Sequence, residues 1–335
     1  ISNQPTITEF TKVDLTGGQE IEGAKMQILD QEGKVVEEWV SKKEAHVVYA
    51  LAPGEYILHE EQAPTEQGYV RAEDVKFVVE ETGDVQKVKM EDDHTKVSIS
   101  KTDITDGKEI EGAKLQILDQ DGEVVESWTT GEEHLIEYLP VGTYTLHEEA
   151  AVDGYIVAND VEFTVEETGE IQKVKMEDER AMGQLVIVKT DTDSKAALEG
   201  VEFVLLEKET GKEVGRLKTG KDGKAVSELL PIGTYENGVF KEPITYVLKE
   251  TATLKGYEKT EEEWEIVFTY QNDKTPVIEV VKEIQNKKIP ETPGTVKPGP
   301  KTGDDTNWFL PLLALGVSAG MVAGLLYYRK RHKKA

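Results

Sequence analysis

The stretch "IEGAKMQILDQEGKVVEEW", Ile21–Trp39, returns almost unchanged as "IEGAKLQILDQDGEVVESW", Ile110–Trp128. Around the turn sequences "DQEG" and "DQDG", apolar and polar residues alternate. Each copy therefore reads as two half-buried strands joined by a hairpin. The similarity extends outward from this core. "PGEYILHEE" at Pro53 pairs with "VGTYTLHEEA" at Val141, and "VKFVVEETGDVQKVKMEDD" at Val75 with "VEFTVEETGEIQKVKMEDE" at Val161. A third, diverged copy opens with "GQLVIVKTDTDSKAALEGVEFVLLE" at Gly183. It keeps "PIGTY" and "YVLKETA", then "KGY", and carries an insertion at "ENGVFKEP".

Tandem copies of one β-rich unit, with no sustained helical period before Trp308, predict an all-β chain of three tandem immunoglobulin-like β-sandwiches. The expected boundaries are 1–93, 94–181 and 182–289. Residues 290–307 turn to Pro, Gly, Thr and Lys and read as an extended spacer. Trp308–Tyr328 is an uncharged run long enough to cross a bilayer as one helix, with Trp308, Tyr327 and Tyr328 at its ends. The basic residues of 329–335 then place the C-terminus in the cytoplasm and the body outside. Ile1 in place of Met reads as a fragment edge or a processed start.

Composition narrows the function. The 335 residues carry a net charge of -27, so the body is acidic, self-repelling and unsuited to nucleic acid. There is no cysteine, which excludes disulfides and thiol chemistry. Any covalent staple must come from other side chains.

The alternation is most informative where it places charge on the core face. The first strand of each copy runs Phe10-x-Lys12, Val97-x-Ile99-x-Lys101 and Leu185-x-Ile187-x-Lys189. A middle strand gives Tyr56-x-Leu58-x-Glu60, Tyr144-x-Leu146-x-Glu148 and Tyr246-x-Leu248-x-Glu250. The last strand gives Met90-x-Asp92, Met176-x-Asp178 and Ile284-x-Asn286. Each repeat thus points one Lys, one Glu and one Asp or Asn inward, where unpaired charge is costly. Burial lowers a lysine pKa and raises that of a carboxyl. A neutral amine beside a carboxyl or carboxamide carbon is a nucleophile facing an electrophile, and the product is an amide between side chains. Strand-end ion pairs at the surface fit the same alternation, so periodicity alone leaves both readings open.

The first-strand pattern K-x-D (Lys12–Asp14, Lys101–Asp103, Lys189–Asp191), followed by L/I-E-G and then by G-x-Y-x-L-x-E with a later GY, resembles the B-type repeats of collagen adhesins. It also resembles the prealbumin-like domains of SpaA-type pilins. The resemblance spans nearly all of residues 6–289. It implies β-sandwiches with an intramolecular Lys–Asn or Lys–Asp isopeptide bond assisted by a Glu. Carried over residue by residue, the sets are Lys12–Asp92 with Glu60, Lys101–Asp178 with Glu148, and Lys189–Asn286 with Glu250. The acidic run "MEDDH" leaves Asp93 open as the acceptor in the first repeat.

In this family context the C-terminus resembles a sortase sorting signal on a Gram-positive surface protein. Pro300-Lys301-Thr302-Gly303 matches the Pro-x-Thr-Gly part of the usual Leu-Pro-x-Thr-Gly motif, with Gly299 where Leu is usual. The resemblance implies a sortase transpeptidase and peptidoglycan as partners. It also implies a membrane-spanning precursor and a mature protein anchored outside the cell on the wall. Two functions stay open: a stalk or pilin-like structural module, and an adhesin whose own repeats bind a host or matrix protein. The insertion from Tyr235 to Pro243 is the local candidate for such a binding site.

Other chemistry finds little support. "MEDDH" reads as a strand end running into a solvated linker rather than a metal site. Asp119-Gln120-Asp121-Gly122 imitates a calcium loop but lacks its distal Glu, and reads as a hairpin turn. No Ser-His-Asp set, phosphate-cradling glycine loop or HExxH is present, so no metal, cofactor or enzymatic turnover of an external substrate is expected.

Overall fold

Alternating side chains become two facing sheets in each repeat. The structure, a computed structural model, describes residues 4–290. The sorting motif at Pro300–Gly303, the apolar run 308–328 and the basic tail lie outside the described residues. Among the described residues, no helix is long and apolar enough to cross a membrane.

The first repeat contains eight strands: β1 (Ile7–Asp14), β2 (Lys25–Leu29), β3 (Val35–Val40), β4 (His46–Tyr49), β5 (Gly54–Gln62), β6 (Tyr69–Val70), β7 (Val75–Val79) and β8 (Val85–His94). One sheet has the order β4-β1-β8-β6 and the other β3-β2-β5-β7. The pairing that matters for the site is β1 with β8, first strand with last. They run parallel, with Phe10 opposite Val88, Lys12 opposite Met90 and Asp14 opposite Asp92. A long excursion through the second sheet separates these strands, which is what a parallel pair demands.

Between the sheets, Phe10, Met26, Ile28, Leu58, Val79 and Met90 form a closed apolar core. Each such side chain contributes ~1.5–3 kcal/mol relative to exposure. The β2–β3 hairpin turns where the sequence places "DQEG". Asp30 Oδ1 accepts hydrogen bonds from the N–H groups of Glu32 and Lys34, and Gly33 takes the left-handed φ of 80° that the turn requires. Asp119 does the same for Asp121 and Glu123 in the second repeat, so its carboxylate serves the turn.

The second repeat reproduces this plan. Its first strand (Lys96–Asp103) pairs in parallel with its last (Ile171–Arg180), with Lys101 opposite Met176 and Asp103 opposite Asp178. Its core is built on Val97, Ile99, Leu115, Ile117, Leu146 and Met176. The third repeat keeps the same parallel pair, Met182–Asp191 with Val277–Asn286, in which Lys189 lies opposite Ile284 and Asp191 opposite Asn286. Its insertion forms a separate two-stranded hairpin, Gly233–Glu236 with Val239–Pro243.

Residues Ile1–Arg180, covering the first two repeats, fall within one compact unit. The joint between them corrects the expected solvated linker at "MEDDH". β8 ends at His94 and the next strand begins at Lys96, and both His94 and Thr95 are buried. Thr95 donates its N–H to the carbonyl of Gly68 and its hydroxyl to that of Leu139. The chain therefore passes between repeats as nearly continuous strand, fastened on both sides.

Candidate functional site

Strand register brings the three inward-facing polar residues of each repeat together. Lysine sits two residues before the end of the first strand, opposite the methionine or isoleucine of the last. The acid or amide two residues further along the last strand shares its face and lies diagonally adjacent. The glutamate comes from the middle strand of the opposite sheet and closes the site from across the core.

In the first repeat Lys12 Nζ contacts Asp92 Oδ1 directly and lies 2.9 Å from Glu60 Oε2. In the second, Lys101 Nζ contacts Asp178 Oδ1 directly and is 2.9 Å from Glu148 Oε2. In the third, Lys189 Nζ is 2.5 Å from Asn286 Oδ1 and 2.9 Å from Glu250 Oε2. All nine side chains are buried. Asp93 points away from Lys12 and instead holds Lys96 at 2.7 Å, so Asp92 is the residue that faces the lysine.

The electrostatics follow from burial. Burial outweighs the attraction of Lys12 and, with the Glu60 carboxyl alongside, pushes Asp92 up to about 7. Asp178 is pushed up to about 7 in the same way, between Lys101 and Glu148. Burial also pushes the Lys189 ammonium down, against the opposing pull of Glu250. These shifts all move toward neutral amine and neutral acid, the protonation states in which nitrogen can attack carbon.

Each glutamate is itself positioned. Glu60 Oε2 accepts the N–H of Ala72 at 2.8 Å, and Glu148 Oε2 that of Ala158 at 2.6 Å. Glu250 Oε1 accepts Asn286 Nδ2 at 2.6 Å, and the same nitrogen donates to Thr253 Oγ1 at 2.7 Å. Glu250 thus stands at the nitrogen that would leave on amide exchange. In the first two repeats Asp92 Oδ2, Asp178 Oδ2, Glu60 Oε1 and Glu148 Oε1 are buried without a donor directed at them. A proton held by either carboxyl of a pair supplies one.

Several residues around the sites were not singled out by the inward-facing pattern. Glu20 and Glu109 accept the N–H of Lys12 and Lys101, both at 3.1 Å, and Ala197 occupies that place in the third repeat. Asp14, Asp103 and Asp191, the last residues of the K-x-D motifs, collect hydrogen bonds that cap the loop after the first strand. Their recurrence two residues after each lysine was the available signal. Thr253 carried none.

The fold agrees with what sequence comparison finds. The family model described as SpaA, a prealbumin-like fold domain, matches residues 6–94, 95–180 and 183–243. The chain belongs to this family of prealbumin-like domains, with three copies in tandem. No curated protein matches the sequence. Among solved structures, the Bacillus anthracis TIE protein is 27% identical with a TM-score of 0.57, over 85% of this chain and 51% of that one. This chain therefore spans about half the length of that relative. BcpA, the major pilin subunit of Bacillus cereus, is 16% identical with a TM-score of 0.46, covering 85% of this chain and all (100%) of the pilin variant compared. A streptococcal ancillary pilin is 16% identical with a TM-score of 0.34, over 86% of this chain and 100% of its own.

Proposed function

We propose that the chain is an extracellular stalk or pilin-like structural protein whose repeats are stapled internally by Lys–Asp and Lys–Asn isopeptide bonds. The observation that carries this reading is the threefold recurrence of one buried Lys–acid (or amide)–Glu set in one strand register. A single buried ion pair has many explanations. Three in identical positions, in a chain without cysteine, favour a shared covalent purpose.

The chemistry balances without an external reactant. The neutral Nζ attacks Cγ of Asp92, Asp178 or Asn286, and its electron pair forms the new C–N bond. The glutamate relays the displaced proton to the leaving group. Water departs from each aspartate and ammonia from Asn286. This is a single turnover within one molecule, and no enzymatic role toward other substrates is proposed. Because first and last strands are joined, tension entering at one end of a repeat and leaving at the other passes through the bond.

The anchoring part rests on the tail. Sortase cleavage between Thr302 and Gly303, with transfer of the Thr302 carboxyl to a wall amine, fits the order of motif, apolar run and basic end. The apolar run then serves as a temporary membrane hold.

Intact mass tests the staples. The ectodomain should fall short of its sequence mass by two waters and one ammonia, and an unmodified mass overturns the reading. For the anchor, Thr302→Ala should leave the protein in the membrane fraction instead of on peptidoglycan fragments. The adhesin alternative rests on the Tyr235–Pro243 insertion, and binding of the isolated ectodomain to immobilised matrix proteins would favour it.

A further inference from the structure

The site of the first repeat borrows a side chain from the second. Asp14 shares a face of β1 with Lys12 and lies opposite Asp92 on β8. Its Oδ1 is occupied by the N–H groups of Thr16 and Gly17 and by the Thr16 hydroxyl. Its Oδ2 accepts a 2.8 Å hydrogen bond from the hydroxyl of Tyr138, which belongs to the second repeat.

The second repeat serves its own aspartate differently. Asp103 Oδ2 accepts from the Tyr155 hydroxyl at 2.8 Å and from Arg180 Nε at 2.6 Å, both within that repeat. The sequence accounts for the contrast, because "MEDER" places Arg180 where "MEDDH" places His94. His94 does not supply that donor. It is buried, and its imidazole forms the surface on which the Tyr138 ring stacks, with centroids 3.9 Å apart. Tyr69, the first repeat's counterpart of Tyr155, bears on Asp14 through its own hydroxyl and meets the Tyr138 ring edge-on at 5.6 Å, so Tyr138 takes the place of the Arg180 donor alone.

Tyr138 is built into this place at a cost. Its φ is 60°, a conformation bulky residues rarely adopt. The surrounding backbone holds it there: its N–H donates to the Thr95 carbonyl, and the N–H of Val141 donates to that of Thr65. The corresponding residue of the first repeat is Ala50, also at positive φ (61°) but without a ring to offer.

We propose that Tyr138 is a positioning residue for the Lys12–Asp92 pair, so that the first repeat links efficiently only when the second is folded against it. The proposal rests on the reading that these pairs form amides. The physical argument is the leverage of Asp14. It pins the end of β1 directly opposite Asp92, and attack within a pair is sensitive to displacements of about 1 Å. A hydrogen bond to a buried carboxylate is among the stronger polar contacts, so its loss loosens the Asp14 carboxylate beside the pair while the bonds to Oδ1 remain.

The test uses the full chain and counts linked peptides by mass after digestion. Lys12–Asp92 and Lys101–Asp178 are scored in the same molecules, at successive times after synthesis. Tyr138→Ala should slow the first link about tenfold and leave the second unchanged. Adding His94→Arg to Tyr138→Ala should restore the first link, because it supplies the donor that the second repeat already uses. A first link as fast as wild type overturns the proposal. So does equal slowing of both links without rescue, which marks a general folding defect. Absence of linked peptides from the wild-type chain overturns the parent reading instead, and this proposal with it.

Discussion

Asp14 and Asp92 lie opposite one another on adjacent parallel strands, and their carboxyls are driven in opposite directions. Burial works to raise Asp14, but hydrogen bonds from Thr16, Gly17 and Tyr138 overcome it and hold this carboxyl well below the usual range. Asp92 has burial and the neighbouring Glu60 against it, with only Lys12 in its favour, and rises to about 7. Two carboxyls with separated pKa values take separate roles. Here Asp14 stays charged, whereas Asp92 ionises only near 7 and below that is the neutral acid the proposed attack requires.

On the proposed chemistry, the raised pKa values of Asp92 and Asp178 should make linking in the first two repeats pH-dependent in a way the third is not. Attack requires protonated Asp92 and Asp178, both of which ionise near 7. Relative to the third repeat, their linking rates should fall progressively as pH rises above about 7, tending toward tenfold per unit. Asn286 has no proton of this kind to lose. The check is the ratio of Lys101–Asp178 to Lys189–Asn286 linked peptides after refolding unlinked chain between pH 6 and 9. A constant ratio would contradict the assignment.

Blocking the link exposes the same pKa as a stability effect. In Lys12→Met the lysine no longer pulls Asp92 down, so its folded value is at least the value of about 7 found beside Lys12, against 3.8 unfolded. The folded state then binds the proton more tightly across that window. This stabilisation is fully present below about 4 and is lost as pH climbs through 7 and beyond. The first repeat of Lys12→Met should therefore unfold at lower urea at pH 8 than at pH 5, by on the order of a few kcal/mol. Adding Asp92→Asn should flatten the dependence.

Removing Lys189 should be the most damaging of the lysine substitutions in the third repeat. Lys189→Ala leaves Glu250 buried without its countercharge, a change of about 3–5 kcal/mol for buried pairs. On the proposed chemistry it also abolishes a link between residues 97 apart, whose closure would restrict the unfolded chain by ~4–5 kcal/mol on the loop-entropy estimate used for disulfides. Calorimetry should show a transition for this repeat lowered by well over ten degrees, with transitions of the first two unmoved.

Gly68 is a second handle on the joint between the first two repeats. A Cβ at this position would lie 2.3 Å from the backbone carbonyl of Tyr138, and its φ is +78°. Gly68→Ala must therefore strain the backbone by about 1–2 kcal/mol and also push the two repeats apart. Limited proteolysis near Thr95 should become markedly faster in this variant, while Gly107→Ala, whose Cβ meets nothing, should leave the joint closed.

Much of this was legible before the fold. Alternation in "YILHEE" and "VKMEDD" put Glu60 and Asp92 on the core face, and Phe10-x-Lys12 did the same for the lysine. A period of two needs only one strand at a time, so these assignments survive without knowledge of pairing. The joint escapes local pattern for the same reason. "MEDDH" looks solvated by composition, and nothing local to it announces that Gly68, Tyr138 and Leu139 arrive from elsewhere in the chain to cover His94 and Thr95.

The sequence by itself determined the threefold repeat, the β architecture and which side chains face inward, because repetition and side-chain alternation are written residue by residue. Only the tertiary structure decided that the first and last strands are parallel neighbours in one register, which turns three separate polar residues into one site. It also decided that Tyr138 of one repeat completes the hydrogen bonding of Asp14 in another. Both depend on distances between segments remote in the chain, and those are set by packing of the whole sandwich rather than by any local pattern.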